Sequence, residues 1–165
     1  MNAEQGSVEL LQDPIAQELL CGPYPAHLAY VWKDGTARVV PIGFHWNGKE
    51  IVMAGADTAP KNEVVNGQKV TLVIDTYTFP FKVLTIRGTA RLEQVAEAPI
   101  EYVEGNTKLM GEEAMGKWLE GLGPLMPAIK YFGKITVTPE WVRITDFQTR
   151  MPEEIERVIR RAQGG

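Results

Sequence analysis

Arg38, Thr58 and Lys61 are the residues of this chain whose types and spacing suit one definite chemistry. A guanidinium, a hydroxyl and an ammonium, together with the amides of a helix start at Lys61 and Asn62, are the donors that a phosphate dianion takes. Side-chain catalysis has no comparable support. Cys21 is the only cysteine and His27 and His45 are the only histidines, which leaves no zinc cluster and no disulfide framework. No Ser-His-Asp or Cys-His set is suggested, and no Gly-rich loop of the Walker or dinucleotide type is present. Such a chain can still be an enzyme if a bound cofactor supplies the reactive atom and the protein supplies position and electrostatics.

The stretch from Arg38 to Trp46 offers a place for a flat cofactor. Asp34-Gly35 precedes it and Asn47-Gly48 follows it, and both pairs suit tight hairpin turns, so the stretch reads as the middle strand of a meander. A middle strand should avoid Pro41, which cannot donate to a ladder, and Gly43, which leaves a gap. The odd positions Ala37, Val39, Pro41, Gly43 and His45 are mostly small, whereas Val40, Ile42, Phe44 and Trp46 are bulky. One face can pack while the main chain of Val39, Val40, Pro41 and Ile42 stays open to a flat ring such as that of flavin mononucleotide (FMN). Pro41 and Gly43 fit a bulge on an edge strand equally well. Parity puts Arg38 on the bulky face, from which it reaches a ligand only around the rim or across a bulge.

Further candidates carry plainer alternatives. Lys82 and Arg87 stand at opposite parity on a later strand, so at most one faces any single site, and surface charge explains either. Lys61 also fits a solvated loop lysine, and His45 fits a strand-end histidine. Tyr77, Phe79 and Phe81 suit a cover over a ring, a core edge or a subunit interface. The candidate cofactor contacts are Arg38, Val39, Val40, Pro41, Ile42, Thr58, Lys61, Asn62 and Lys82.

These residues need a scaffold, and the pattern supplies one. Val8, Leu11, Ile15 and Leu19 predict a helix over 8–21, with Asp13-Pro14 as an internal start signal. Alternation predicts strands at 27–32, along 38–46, at 51–54 and at 70–75, with one to two helical turns after Pro60. Lys82 to Leu92 is a long strand with a bend or bulge at Gly88. From Ala98 to Leu122 the pattern is helical, with Met115, Trp118, Leu119 and Leu122 on one face and Gly105 and Gly111 as interruptions. Strands at 128–137 and 141–146 follow, joined through Thr138-Pro139-Glu140, then a helix over 152–163. The 165 residues, with a net charge of -4, suit one domain, residues 1–165, and give no basic field for nucleic acid. No apolar leader follows Met1-Asn2-Ala3-Glu4 and no run reaches spanning length, so a cytoplasmic protein is expected. The fold class is mainly β with helices (α+β), a six-stranded antiparallel barrel with peripheral helices.

Taken in order, Asp34-Gly35, Ala37 to Phe44, Ile51-Val52-Met53, Lys61, Val70 to Asp75 and Arg87-Gly88-Thr89-Ala90 resemble the pyridoxamine 5′-phosphate oxidase-like, FMN-binding split-barrel family over residues 26 to 147. The resemblance implies a six-stranded split barrel, a homodimer with flavin between subunits, Arg38 and Lys61 on the phosphate, and the Val39 to Ile42 main chain against the ring. It implies a flavin-dependent oxidoreductase. Ala54-Gly55, Pro60 and the carboxy-terminal Pro139-Glu140-Trp141-Val142-Arg143-Ile144 depart from the vitamin B6 oxidases proper, which argues against pyridoxamine phosphate as substrate. Relatives use the deazaflavin coenzyme F420 or bind haem, and the phosphate-side residues do not separate these cofactors. A non-catalytic carrier or sensor barrel shares the same pocket, and a barrel used only for protein contacts needs none.

Overall fold

Apolar residues at every second position build strands with one buried face, and here they roll a single sheet around one core. The computed structural model describes residues 3–164; Met1 and Asn2, part of the expected leaderless start, and Gly165 lie outside the described residues. The strands are β1 (Ala26–Val31), β2 (Ala37–Ile42), β3 (His45–Trp46), β4 (Ile51–Ala56), β5 (Lys69–Asp75), β6 (Lys82–Val95) and β7 (Phe132–Asp146). The helices are α1 (Pro14–Cys21), α2 (Ile100–Met110), α3 (Glu112–Leu122) and α4 (Glu153–Ala162), with 3-10 turns at Val8–Gln12, Pro60–Glu63 and Gly123–Ala128. All strand pairs are antiparallel, in the order β2-β1-β5-β6-β7-β4-β3, so the sheet has seven strands where six were expected.

The Arg38 to Trp46 stretch, which is not the middle of a meander, adds one strand to the seven segments read from the pattern, and the merging of 128–137 with 141–146 into β7 removes one. The stretch splits into β2 and β3, which lie at opposite ends of the sheet and are joined only by Gly43 and Phe44. In a flat sheet with strands ~4.8 Å apart, the end strands would stand about 29 Å apart. The chain from Ile42 to His45 can reach about 11 Å. The sheet therefore curls until its edges approach at this crossing. Pro41 sits on an edge strand, where a missing N–H is tolerated. Helix α2 lies across the crossing: a Cβ on Gly43 would come within 2.5 Å of Asn106 Oδ1, and one on Gly105 within 2.6 Å of the Phe44 carbonyl carbon. Gly105 is thus no interruption but the close-approach point inside α2, while Gly111, at φ 90°, separates α2 from α3.

Strands β6 and β7 form the spine. The expected break at Thr138-Pro139-Glu140 is absent; β7 runs through it, with Arg87 opposite Trp141 and Gly88 opposite Pro139, so that Glu140 is an extra residue. The bulge has a packing reason. Buried residues on β6 keep one parity (Leu84, Ile86, Ala90), whereas those on β7 change from Ile135 and Val137 to Val142 and Ile144. One inserted residue flips the parity and keeps both halves pointing inward. Gly88 makes room for it, since a Cβ there would collide with the Thr138 carbonyl.

One end of the roll is closed by the amino-terminal segment. Leu10, Leu11, Leu19 and Leu20 join the core, and the expected helix over 8–21 breaks at Asp13, which caps α1. Asp13 Oδ1 accepts from the Ile15 amide at 2.9 Å and its Oδ2 accepts from Arg150 at 2.6 Å. On α3 only Met115 is buried; Trp118 and Leu119, expected on the same packed face, are exposed. Among the described residues no helix is long and apolar enough to cross a membrane.

Candidate functional site

Of the phosphate-type donors, Lys61 and the loop that carries Thr58 lie where β4 meets β7. Strand β4 continues through Gly55 and Ala56, which the sequence placed in a loop, and this sets Gly55 directly opposite Gly133 of β7. Two glycines side by side make a shelf without side chains. The Pro60–Glu63 turn folds onto it: a Cβ on Gly55 would stand 3.1 Å from Lys61 Nζ, and one on Gly133 2.5 Å from the side-chain Nδ2 of Asn62. Asn62 anchors the turn by donating to the Ala56 carbonyl at 3.0 Å, while its Oδ1 is buried without a partner.

Lys61 is the unusual group. It is 7% exposed, and among the described residues no carboxylate lies within ion-pair distance of it. Burial holds its pKa below the ordinary 10.5. A largely buried ammonium without a counter-charge is disfavoured by desolvation, and an anion at the accessible nitrogen would offset that cost. The expected helix start is a single 3-10 turn; the Asn62 amide already bonds the Ala59 carbonyl at 3.0 Å, so the turn offers Lys61 rather than a row of free amides. Thr58 lies exposed on the loop just before. That loop is held by Asp57, whose amide donates to the Tyr131 carbonyl at 3.0 Å and whose carboxylate accepts from the Lys130 amide at 3.1 Å.

Strand β2 has the two-faced character read from its sequence. Ala37, Val39 and Pro41 are exposed, Val39 by 65%, while Arg38, Val40 and Ile42 are half-buried. Arg38 keeps to its own parity: its guanidinium stacks on Trp32, 4.0 Å from the ring centre, and is not turned to the open face. The β1–β2 hairpin and the Lys61 turn share one end of the roll. Lys33 pairs with Glu63, and the Gln68 side chain bonds both the amide and the carbonyl of Val31, at 3.0 and 2.8 Å.

Lys82 is not part of this gathering. It opens β6 opposite Asp146, whereas Gly133 pairs with Gln94 near the far end of the same two strands. Its Nζ bonds Glu18 at 2.6 Å, which raises its pKa. Arg87, of the other parity, stacks on Trp141 at 4.0 Å. His45 is held by Glu104, Nδ1 to Oε2 3.1 Å. Phe79 and Phe81 meet Phe147 edge to face, and Phe79 and Tyr77 stay largely exposed. The sequence reading missed Trp32 beneath Arg38 and the Gly55–Gly133 shelf. The signal for the shelf was present as a glycine near the end of each strand, but their pairing was not.

The fold is a rolled antiparallel sheet with a largely buried lysine in the Pro60–Glu63 turn. No family model matches the chain, and no curated protein does. Its neighbours among solved structures are pyridoxamine 5′-phosphate oxidase-like split-barrel proteins. They include an F420 reductase, 25% identical with a TM-score of 0.53 over 76% of this chain and 94% of that one. A putative pyridoxamine 5′-phosphate oxidase from Listeria innocua is 24% identical, with a TM-score of 0.54 over 81% and 97%. A FAD- and haem-binding protein from Mycobacterium smegmatis is 19% identical, with a TM-score of 0.55 over 98% and 80%.

Proposed function

We propose that the chain is a homodimeric oxidoreductase that binds FMN, with the phosphate held at Lys61 and the ring laid against the open face of β2. The largely buried ammonium of Lys61 carries this reading, because it fits a phosphate and no ion-pair partner for it stands among the described residues. Thr58 adds a hydroxyl donor beside it. Asn62 acts through position: it pins the turn to the glycine shelf and thereby fixes where the ammonium stands. Arg38 contributes from the rim, reaching the phosphate only by leaving Trp32. Bound flavin supplies hydride transfer at its N5. The chain's own residues bind, orient and exclude water, and the small side chains of Ala37, Val39 and Pro41 leave the main chain accessible to the ring.

Absorbance titration with FMN tests the proposal. Binding at micromolar concentration is expected, weakened at least tenfold by Lys61→Met and less by Arg38→Ala. A protein that binds neither FMN nor the deazaflavin coenzyme would overturn it. The second reading is a deazaflavin-dependent reductase, favoured by the 25% identity to an F420 reductase. It predicts tighter binding of F420 than of FMN at the same lysine.

A further inference from the structure

At β3, which pairs with the start of β4 and not with its glycine end, the end of α1, β3 and α2 line an open pocket of about 290 Å³, formed by Leu20, Cys21, His45, Trp46, Glu104 and Lys108. It collects an amine, a thiol, an imidazole and a carboxylate, none of which the proposed flavin site uses. Lys108 projects from α2 beneath this pocket, with Nζ 2.7 Å from the Leu20 carbonyl and 3.4 Å from the centre of the Phe44 ring. Among the described residues no carboxylate lies within ion-pair distance of it. Glu104, one turn earlier on α2, is engaged with His45 at 3.1 Å. The pocket walls therefore hold one amine kept away from counter-charge and one imidazole–carboxylate pair able to pass protons.

We propose that this pocket takes a small uncharged aldehyde or ketone and condenses it with Lys108. The neutral amine adds to the carbonyl carbon, forming a C–N bond. The His45–Glu104 pair moves both amine protons to the carbonyl oxygen, the first as the carbinolamine forms and the second as the C–O bond breaks and water leaves, and a C=N bond remains. Amine plus carbonyl gives imine plus water, so no oxidant or reductant enters. The environment supports the nucleophile. Burial pushes the Lys108 pKa down to about 8, opposed by Cys21; the titratable and charged groups facing it are Cys21 of α1, His45 of β3 and Glu104 of its own helix. At pH 7.5 such an amine is roughly one-quarter neutral, against about one part in a thousand for an ordinary lysine.

The test uses the intact protein, propionaldehyde and cyanoborohydride, which traps the imine as a stable propyl-lysine, with peptide mass mapping against time. Lys108 is expected to be labelled at least tenfold faster at pH 7.5 than the exposed Lys49 and Lys117, with a rate that levels off above about pH 8 while theirs keep rising. Glu104→Gln, a surface change, is expected to slow labelling of Lys108 several-fold, and Cys21→Ser to leave it unchanged. Labelling of Lys108 no faster than of Lys49 would overturn the proposal and leave the amine as a cap on the last turn of α1. Loss of labelling in Cys21→Ser would also overturn it, because capture would then begin at sulfur.

Discussion

Asp13 and Lys61 are both charged and both nearly sealed from water, at 1% and 7% exposure, yet their surroundings are opposite. Asp13 has everything a buried carboxylate needs: an amide at the start of α1 and the Arg150 guanidinium. Lys61 has a shelf of glycines and, among the described residues, no counter-charge within ion-pair distance. Burial alone does not mark a site. A buried charge whose partners are complete belongs to the scaffold, and one whose partners are missing points to something outside the chain.

The contrast is sharpest in stability. Asp13→Ala removes a cap and strands Arg150, and should cost about 3 kcal/mol in chemical denaturation. Lys61→Met, which replaces an uncompensated ammonium by an apolar chain, should leave the cofactor-free protein unchanged or stabilise it by about 1 kcal/mol. A loss as large as that of Asp13→Ala would erase the distinction. Next in size, Gly133→Ala drives a methyl into Asn62 and should cost roughly 1–3 kcal/mol, while also weakening FMN binding because the turn moves. Unchanged FMN affinity in a destabilised Gly133→Ala protein would show that the shelf does not position Lys61.

Lys61 also has a signature in pH. Its folded pKa is depressed, so the unfolded chain holds the proton more tightly, and stability should rise as pH climbs from the depressed value toward 10.5. Lys61→Met should flatten that rise, and saturating FMN should suppress it by favouring the charged amine. The smallest effect is expected at Lys33→Ala. Its pair with Glu63 is exposed, so stability should change by less than about 1 kcal/mol. A larger loss would mean that the link between the hairpin and the Lys61 turn, not the glycine shelf, holds the turn in place.

Much of this was legible in the sequence, for local reasons. Alternation placed β1, β5 and most of β6, and the small odd positions of β2 foretold its open face. Long-range pairing was not legible. Nothing in Pro41 or Gly43 alone says that β2 and β3 lie at opposite ends of a sheet; that follows only once β5 inserts beside β1 and β7 beside β4. The same limit hid the site. Gly55 and Gly133 are far apart in the chain, and their meeting is a matter of register. Lys82 stands apart from the Lys61 turn within the chain for a related reason, since its parity was readable but its position along the strand, opposite Asp146, was not. Pro139 read as a break because a proline usually ends a strand, whereas the bulge at Glu140 absorbs it.

The two-residue crossing at Gly43 and Phe44 governs where the molecule opens first. β3 is tied to β4 through only His45 and Trp46, whereas the spine of β6 and β7 is paired along its whole length. Amide protons along the spine should exchange only on global unfolding, and those of β3 through local fluctuations of far lower free energy. Phe44, with no exposed surface, is the latch that resists such openings. The same residue carries the ring beneath Lys108, so breathing at the seam would loosen the seat of that amine before the rest of the core loosens.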